Sequence, residues 1–308
     1  MQIDRVNKKM LITGVSGLLG SNLAYYFKDK YEILGLYNSN PVLLDGIYTE
    51  KCDITESDNI ERTVSDFSPN VIIHCAALTN VDECEADKEY AKLVNVSATK
   101  NIGEAISDKD IKLIYISTDS VYDGVKGNFS EDDEVNPQNY YGQTKYEGEL
   151  EVSKHSNSLI LRTNLFGWNV QDKYSLGEWI LKELKANKRI NGFKDAYFST
   201  IYTMELARII DISIQKNITG VFNCGSTDSC SKYEFAIRIA NRFNLDKKSI
   251  NAISIDKFNF KAKRGKNFSL TVRKIKNALN YKIPVIEKSI DAFYSDSDHY
   301  IKKYGSIK

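Results

Sequence analysis

The chain has 308 residues, 42% hydrophobic and 27% charged, with 42 Lys and Arg against 41 Asp and Glu for a formal net charge of +1. This is globular composition, which excludes the disordered and fibrous classes and argues against wholesale nucleic-acid binding. No apolar run approaches the ~20 residues of a membrane helix. The polar start, Met1 to Lys9, lacks the charged-then-apolar order of a signal peptide, so a cytoplasmic location away from any membrane is expected.

From Lys9 to about Leu161, short apolar runs alternate with longer helical-period segments, the pattern of a parallel sheet covered by helices. Strands are expected at Met10-Leu-Ile-Thr13, Glu32-Ile-Leu-Gly-Leu36, Val71-Ile-Ile-His-Cys75, Lys112-Leu-Ile-Tyr-Ile116 and Ser158-Leu-Ile-Leu-Arg162. Helices are expected near 18 to 29, 56 to 67, 87 to 107 and 138 to 155. The fold class is α/β, a Rossmann-type doubly wound parallel sheet with its ligand crevice at the carboxyl ends of the strands. After Asn164 the alternation stops. Helices near 175 to 186, 203 to 216, 231 to 243 and 271 to 280, broken by one strand at Gly220-Val-Phe-Asn-Cys224, predict a smaller, mostly helical C-terminal substrate lobe. The division is 1–164 for the first domain and 165–308 mainly for the cap, with elements free to return to the first domain.

Thr13-Gly14-Val15-Ser16-Gly17-Leu18-Leu19-Gly20 lies between a strand and an amphipathic helix. Glycines there permit a tight turn and let the backbone approach a pyrophosphate at the helix N-terminus. Its Gly-x-x-Gly-x-x-Gly spacing resembles the short-chain dehydrogenase variant of the dinucleotide turn. At the end of the second strand, Tyr37-Asn38-Ser39-Asn40 offers neither a carboxylate for a ribose 2′-hydroxyl nor an Arg for a 2′-phosphate. NADH and NADPH both stay open, with a lean to NADPH because no carboxylate repels the phosphate.

Tyr141-Gly-Gln-Thr-Lys145 opens a predicted helix, so its two end residues lie about 6 Å apart along the axis on one face. A free phenol titrates near ~10, and a neighbouring ammonium favours the phenolate. Lys145 is therefore expected to lower the pKa of Tyr141, the proton donor. Tyr115-Ile-Ser117-Thr118-Asp119-Ser120 ends a strand and places the Thr118 hydroxyl at the crevice, where it can hydrogen-bond a carbonyl oxygen.

Cys52, Cys75, Cys84, Cys224 and Cys230 are odd in number without a Cys-x-x-Cys pair, and His74, His155 and His299 are scattered, so structural thiols and no metal site are expected. Residues 247 to 276 carry ten Lys or Arg against one acid, Asp256.

The ordered set resembles the dTDP-4-dehydrorhamnose reductase family of extended short-chain dehydrogenases nearly end to end. It includes Ala76-Ala-Leu-Thr-Asn-Val-Asp-Glu-Cys-Glu85, Val94-Asn95, Ser117 to Gly124, Tyr140 to Glu149, Leu161-Arg-Thr-Asn164, Phe198 to Ala207 and Gly220 to Gly225. The resemblance implies reduction of the 4-keto group of a nucleotide-linked 6-deoxy sugar by a nicotinamide cofactor. Thr118, Tyr141 and Lys145 would be catalytic. Gly14, Ser16, Gly17, Leu18, Leu19, Gly20, Asn38, Asp53, Ile54, Ala76, Ala77 and Leu78 would line the cofactor with Tyr141 and Lys145. Asp53 would face the adenine, or else serve as a turn residue. Thr79, Val81, Asp119 and Ser120 would line the sugar. Asn164 is either a diphosphate ligand or a strand-end cap, and Arg264 either a diphosphate ligand or part of a solvated face. The expected partner is a nucleotide-diphosphate sugar, with a homodimer as an open option and no nucleic acid or membrane.

Three departures bear on which sugar is taken. The family usually has Tyr at Ser120, Arg-Pro at Arg264-Gly265, and an aromatic residue in a slightly longer loop at Leu165-Phe166-Gly167. A sugar-nucleotide dehydratase would want Thr-Asp-Glu where Thr118-Asp119-Ser120 stands. A sugar-nucleotide 4-epimerase shares the Thr/Tyr/Lys set, and the family also resembles a non-catalytic regulatory subunit of methionine adenosyltransferase. Consumption of reduced cofactor separates the reductase from both.

Overall fold

The structure is a computed structural model and describes residues 8–298. The N-terminal segment read above, up to Asn7, and His299 lie outside the described residues. Apolar runs with no polar alternation form the central strands, because both faces of a parallel sheet are covered. In chain order these are β1 (Lys9–Thr13), β2 (Glu32–Tyr37), β3 (Tyr48–Lys51), β4 (Val71–His74), β5 (Lys112–Thr118) and β6 (Ser158–Thr163). Between them run α1 (Leu18–Phe27), α2 (Ser57–Phe67), α3 (Val81–Ala86), α4 (Lys88–Lys92), α5 (Ala98–Ala105) and α6 (Tyr140–Val152).

After β6 come β7 (Leu165–Phe166), α7 (Leu176–Lys185), β8 (Ile190–Phe193), β9 (Tyr197–Phe198), β10 (Ile201–Tyr202) and α8 (Thr203–Gln215). The chain continues through β11 (Gly220–Cys224), β12 (Cys230–Ser231), α9 (Lys232–Arg242), β13 (Ile250–Ile253), β14 (Asn267–Phe268), α10 (Arg273–Leu279) and α11 (Ile286–Ser295).

The main sheet has seven strands in the order β11-β6-β5-β4-β1-β2-β3. Its direction of growth reverses between β1 and β4, the switch point at which open α/β sheets bind ligands. Here the sequence expectation needs amending: Gly220–Cys224, expected as the cap's strand, pairs in parallel with β6, Gly220 opposite Leu159 and Cys224 opposite Thr163. Pairing satisfies the free backbone edge that β6 would otherwise present. Helices α8 and α10 return with it, burying Leu206, Ile209, Ile210, Ile275 and Leu279 in one cluster with Met10, Leu23 and Phe27. A second cluster, with Phe166, Trp168, Leu181, Phe198, Phe235, Ile290 and Phe293, holds the cap. Its short strands β8 and β13 pair in parallel, as do β9 and β14, and periodicity gave no sign of either pair.

The helix expected over 87 to 107 is interrupted by a π turn at Leu93–Ser97. The turn presents Asn95, whose amide accepts from the Leu78 N–H (2.8 Å) and donates to the Leu78 carbonyl (3.1 Å) and the Thr144 hydroxyl (3.0 Å). One buried side chain thus ties the loop after β4 to α6.

A second buried network anchors β6. Arg162 donates to both Glu149 oxygens, at 2.6 Å for the closest pair, and to the Tyr122 hydroxyl at 3.0 Å; Ser117 donates to Glu149 at 2.5 Å. The Arg162 and Glu149 side chains are only 5% and 3% exposed. Removing one member leaves the other charge buried and unpaired, which costs about 3–5 kcal/mol. Arg162→Met is therefore expected to lower the urea-unfolding free energy by about that amount, and the double variant Arg162→Met/Glu149→Met to recover part of the loss. Equal losses in the single and double variants would show that the ion pair itself carries none of it.

Candidate active site

A cavity of about 900 Å³ opens at the carboxyl ends of β1, β4, β5 and β6, and the cap closes its far side. All the residues singled out above for cofactor, catalysis and sugar contribute to its lining, from Gly14 to Arg264. Their convergence follows from topology, since every one in the first lobe sits at a strand end, in a following loop or in the first turns of a helix.

Gly14 has φ +68°, and a Cβ there would lie 2.8 Å from the Ala76 backbone, so the turn after β1 rests directly on the loop after β4. A Cβ on Gly20 would collide with the Gly14 carbonyl oxygen, whereas one on Gly17 would meet only that same oxygen at 3.3 Å. Gly17 also caps α1 without any side-chain hydrogen bond. The amides of the first turn therefore have no side-chain acceptor, and their donors with the positive helix end form a cradle for a phosphate. This fits a dinucleotide. Asn38 is exposed at the end of β2, while Asp53 accepts from the Thr55 amide (3.0 Å) and hydroxyl (2.7 Å) and so shapes its own turn beside the cavity.

Beneath the cradle, His74 joins Thr13 (Oγ1 to Nδ1, 2.7 Å) to Thr99 (Nε2 to Oγ1, 3.0 Å), and the Ala76 amide donates to Thr13 at 3.2 Å. Burial depresses the pKa of His74 to about 3, with Lys145 adding to the effect, so the ring is a neutral bridge. Five free cysteines are found, all with thiol pKa values raised by burial, and among the described residues no cluster of His, Cys, Asp and Glu could hold a metal.

Thr118 is the last residue of β5, and Tyr141 and Lys145 stand in the first turns of α6, capped by Asn139. The expected lowering of the phenol pKa does not occur. Burial pushes Tyr141 above its ordinary value, opposed by a hydrogen bond with Thr118. Burial also lowers Lys145 to about 7, opposed by Glu149, and its ammonium rests 3.9 Å from the centre of the Tyr115 ring. Desolvation is the largest effect on both groups. At neutral pH the site accordingly holds a protonated phenol able to donate.

Asp119 is 2% exposed and burial raises its pKa to about 6, against hydrogen bonds from Asn164 (3.0 Å), Ser120 (3.2 Å) and Thr118 (3.2 Å). The Asn164 amide is thus spent partly on Asp119. Arg264 faces the cavity, bound to Asp82 at 2.9 Å, with its guanidinium 5.1 Å from the Phe260 ring and its Nε buried without an acceptor. Its basic neighbours turn elsewhere: Lys263 donates to Gln138 at 2.5 Å and Lys266 to Asp256 at 2.5 Å. Gly265 explains part of the local departure, because its Cβ would fall 2.8 Å from the Gly124 Cα, and the Lys266 and Asn267 amides both donate to the Gly124 carbonyl at 2.8 Å.

Sequence reasoning missed several lining residues. Phe193, Phe260 and Tyr197 give the cap side an aromatic wall, and Lys232 opens α9 toward the cavity. Ser231 and Glu234 form a capping box that marks the helix start. That signal places Lys232 in the first turn, but nothing local says what the turn faces.

Residues 8–298 match the family described as RmlD substrate binding domain. The chain is 31% identical over 286 residues to the dTDP-4-dehydrorhamnose reductase of Aggregatibacter actinomycetemcomitans, covering 88% of this chain and 92% of that one. It is also 31% identical over 250 residues to methionine adenosyltransferase 2 subunit beta of Danio rerio, covering 77% and 75%. Among solved structures it is similar to dTDP-4-dehydrorhamnose reductase from Bacillus anthracis in complex with NADP, with a TM-score of 0.84 at 27% identity over 94% of this chain and all (100%) of that one.

His74 makes a pH test possible. Its folded pKa of about 3 lies below the ordinary 6.5, so the unfolded chain takes up the proton first as pH falls. The stability present above about 6.5 is then lost progressively toward 3. Between pH 7 and 5 this amounts to about 2 kcal/mol. Urea unfolding should show His74→Asn losing about that much less than wild type over the same interval; parallel losses would mean that His74 titrates normally in the folded state.

Proposed function

The chain belongs to the family of the RmlD substrate binding domain, and from that premise we propose that it reduces the 4-keto group of a nucleotide-linked 6-deoxy sugar with a nicotinamide cofactor. The observation that carries this reading is a single cavity holding two sets of residues. The first lobe supplies Thr118, Tyr141, Lys145 and the uncapped start of α1, and the cap supplies cations and aromatic rings.

In this reading the first-turn amides of α1 with Ser16 and Gly17 hold the cofactor's pyrophosphate, Asp53 and Ile54 border its adenine, and Ala76, Ala77 and Leu78 lie under its reactive end. Asn38 brings no carboxylate to the ribose, which favours NADPH, and the Bacillus anthracis structure holds NADP. When bound, the reduced nicotinamide supplies a hydride. Thr118 hydrogen-bonds the keto oxygen, and Tyr141, kept protonated by burial, donates its proton to that oxygen as the alcohol forms. Lys145 stabilises the phenolate left behind. Asp119, steadied by Asn164, faces the sugar hydroxyls together with Ser120, Thr79 and Val81. Arg264 holds the diphosphate with its unpaired Nε.

A second reading, a non-catalytic binding subunit, draws on the likeness to methionine adenosyltransferase 2 subunit beta. The two part on turnover. Assay of dTDP-, GDP-, UDP- and CDP-linked 4-keto-6-deoxy sugars with NADPH and NADH is expected to show stoichiometric cofactor consumption with at least one pair; binding without consumption across the panel supports the second reading instead.

Tyr141→Phe is expected to lower turnover by ~10²-fold or more while cofactor affinity holds, the effect of losing a general acid. A near wild-type rate under a chemistry-limited assay removes Tyr141 from that role. Gly17→Val is expected to fold and to weaken NADPH binding by about tenfold or more, because the added side chain occupies the cradle rather than the core. Titration of the folded variant with unchanged affinity would place the pyrophosphate elsewhere.

A further inference from the structure

Lys232 follows the capping Ser231 at the start of α9, its amide on the Ala196 carbonyl at 2.9 Å, and its side chain lines the cavity between the lobes. Two charged groups act on it there: Asp119 attracts it and Arg264 repels it, while burial disfavours its charge. Arg264 has Asp82 as an ion-pair partner, whereas among the described residues Lys232 has none. Asp119 attracts Lys232 without forming an ion pair with it, and its oxygens already accept from Asn164, Ser120 and Thr118. The Nε of Arg264 is buried with no acceptor.

Two cations from separate elements, one on α9 and one in the loop before β14, are thus held in one cavity against their mutual repulsion. Such a pair is stabilised by an anion placed between them, and a diphosphate with several acceptor oxygens suits both an ammonium and a guanidinium. We propose that Lys232 is a binding residue for the substrate's diphosphate, which it shares with Arg264. The proposal rests on the reading of the cavity as a sugar-nucleotide site. Because Lys232 also faces Asp119, the diphosphate is held beside the sugar-facing carboxylate, and the sugar is directed along β5 toward Thr118 and Tyr141.

Calorimetric titration of the NADPH-loaded protein with dTDP, UDP, GDP and CDP tests this, with the matching nucleosides as probes that lack the diphosphate. Lys232→Met should weaken the nucleoside diphosphate that wild type binds by about tenfold or more, as expected for a lost charge-assisted contact, and Lys232→Arg by about threefold at most, as expected when the charge is kept. Nucleoside and NADPH affinities should stay within about twofold of wild type. Unchanged diphosphate affinity in Lys232→Met, or an equal loss for nucleosides, overturns the proposal. Wild type that binds NADPH but none of the four nucleoside diphosphates overturns it too, and points to failure of the sugar-nucleotide reading itself. Should Lys232→Met not fold, acetylation of Lys232 in the wild-type protein, followed by peptide mass spectrometry, decides: the nucleoside diphosphate that wild type binds should slow labelling about fivefold or more where the matching nucleoside does not, and equal labelling overturns the assignment.

Discussion

Close approach of main chain to main chain is the constraint from which the cavity takes its shape. At one end Gly14 lies against Ala76, and Gly20 against the Gly14 carbonyl; at the other Gly124 lies against Gly265. The first contact brings the start of α1 onto the loop after β4, so that uncapped helix amides and the Ala76–Leu78 floor form one surface. The second docks the loop that carries Arg264 onto the loop that follows Asp119. A Cβ on Gly14 would fall 2.8 Å from the Ala76 backbone, and one on Gly124 would fall 2.8 Å from the Gly265 Cα and 2.6 Å from the Phe268 ring, so either would force the elements apart. The family's usual Arg-Pro is replaced here by Arg264-Gly265 in just such a setting, so the exchange trades a fixed φ for closer approach.

Buried polar groups then fix the registers that those contacts permit. Asn95, exposed to the interior by the π turn, holds the floor loop and α6 through a single amide. Irregular turns of this kind are often found where a helix must offer a side chain rather than continue its ladder. His74 performs the same task between Thr13 and Thr99. The Glu149–Arg162 pair connects α6 to β6, and Tyr122 extends it to Asn223 on β11 at 2.9 Å. Tyr141 and Lys145 are thereby referenced to four strands at once. Their proximity to the cofactor cradle does not depend on loop conformation.

That depth has an electrostatic consequence. The same burial that holds Tyr141 rigid raises its pKa, lowers that of Lys145 to about 7 and raises that of Asp119 to about 6. The phenol therefore stays neutral and keeps its proton, and the lysine and aspartate sit near the pH at which a bound anion or cation can decide their state.

Features whose physics is local were legible in the order of residues alone. A strand followed by Gly14, Gly17 and Gly20 must turn tightly into a helix, Thr118 at a strand end must face the crevice, and Tyr141 and Lys145 must share a helix face at four-residue spacing. The central strands were legible for the same reason, as unbroken apolar runs. The rest came from long-range packing. The placement of β11 beside β6 is a choice between distant edges that no periodicity encodes. The basic stretch from 247 to 276 looked uniform in sequence, yet packing aimed Arg264 inward and sent Lys263 to Gln138 and Lys266 to Asp256. Lys232 carried no motif, and the neighbour that makes it notable, Asp119, is 113 positions away in the chain. The direction of the Tyr141 shift differs from the expectation from spacing for a related reason: an ammonium one turn away is visible in sequence, but desolvation belongs to the packed whole.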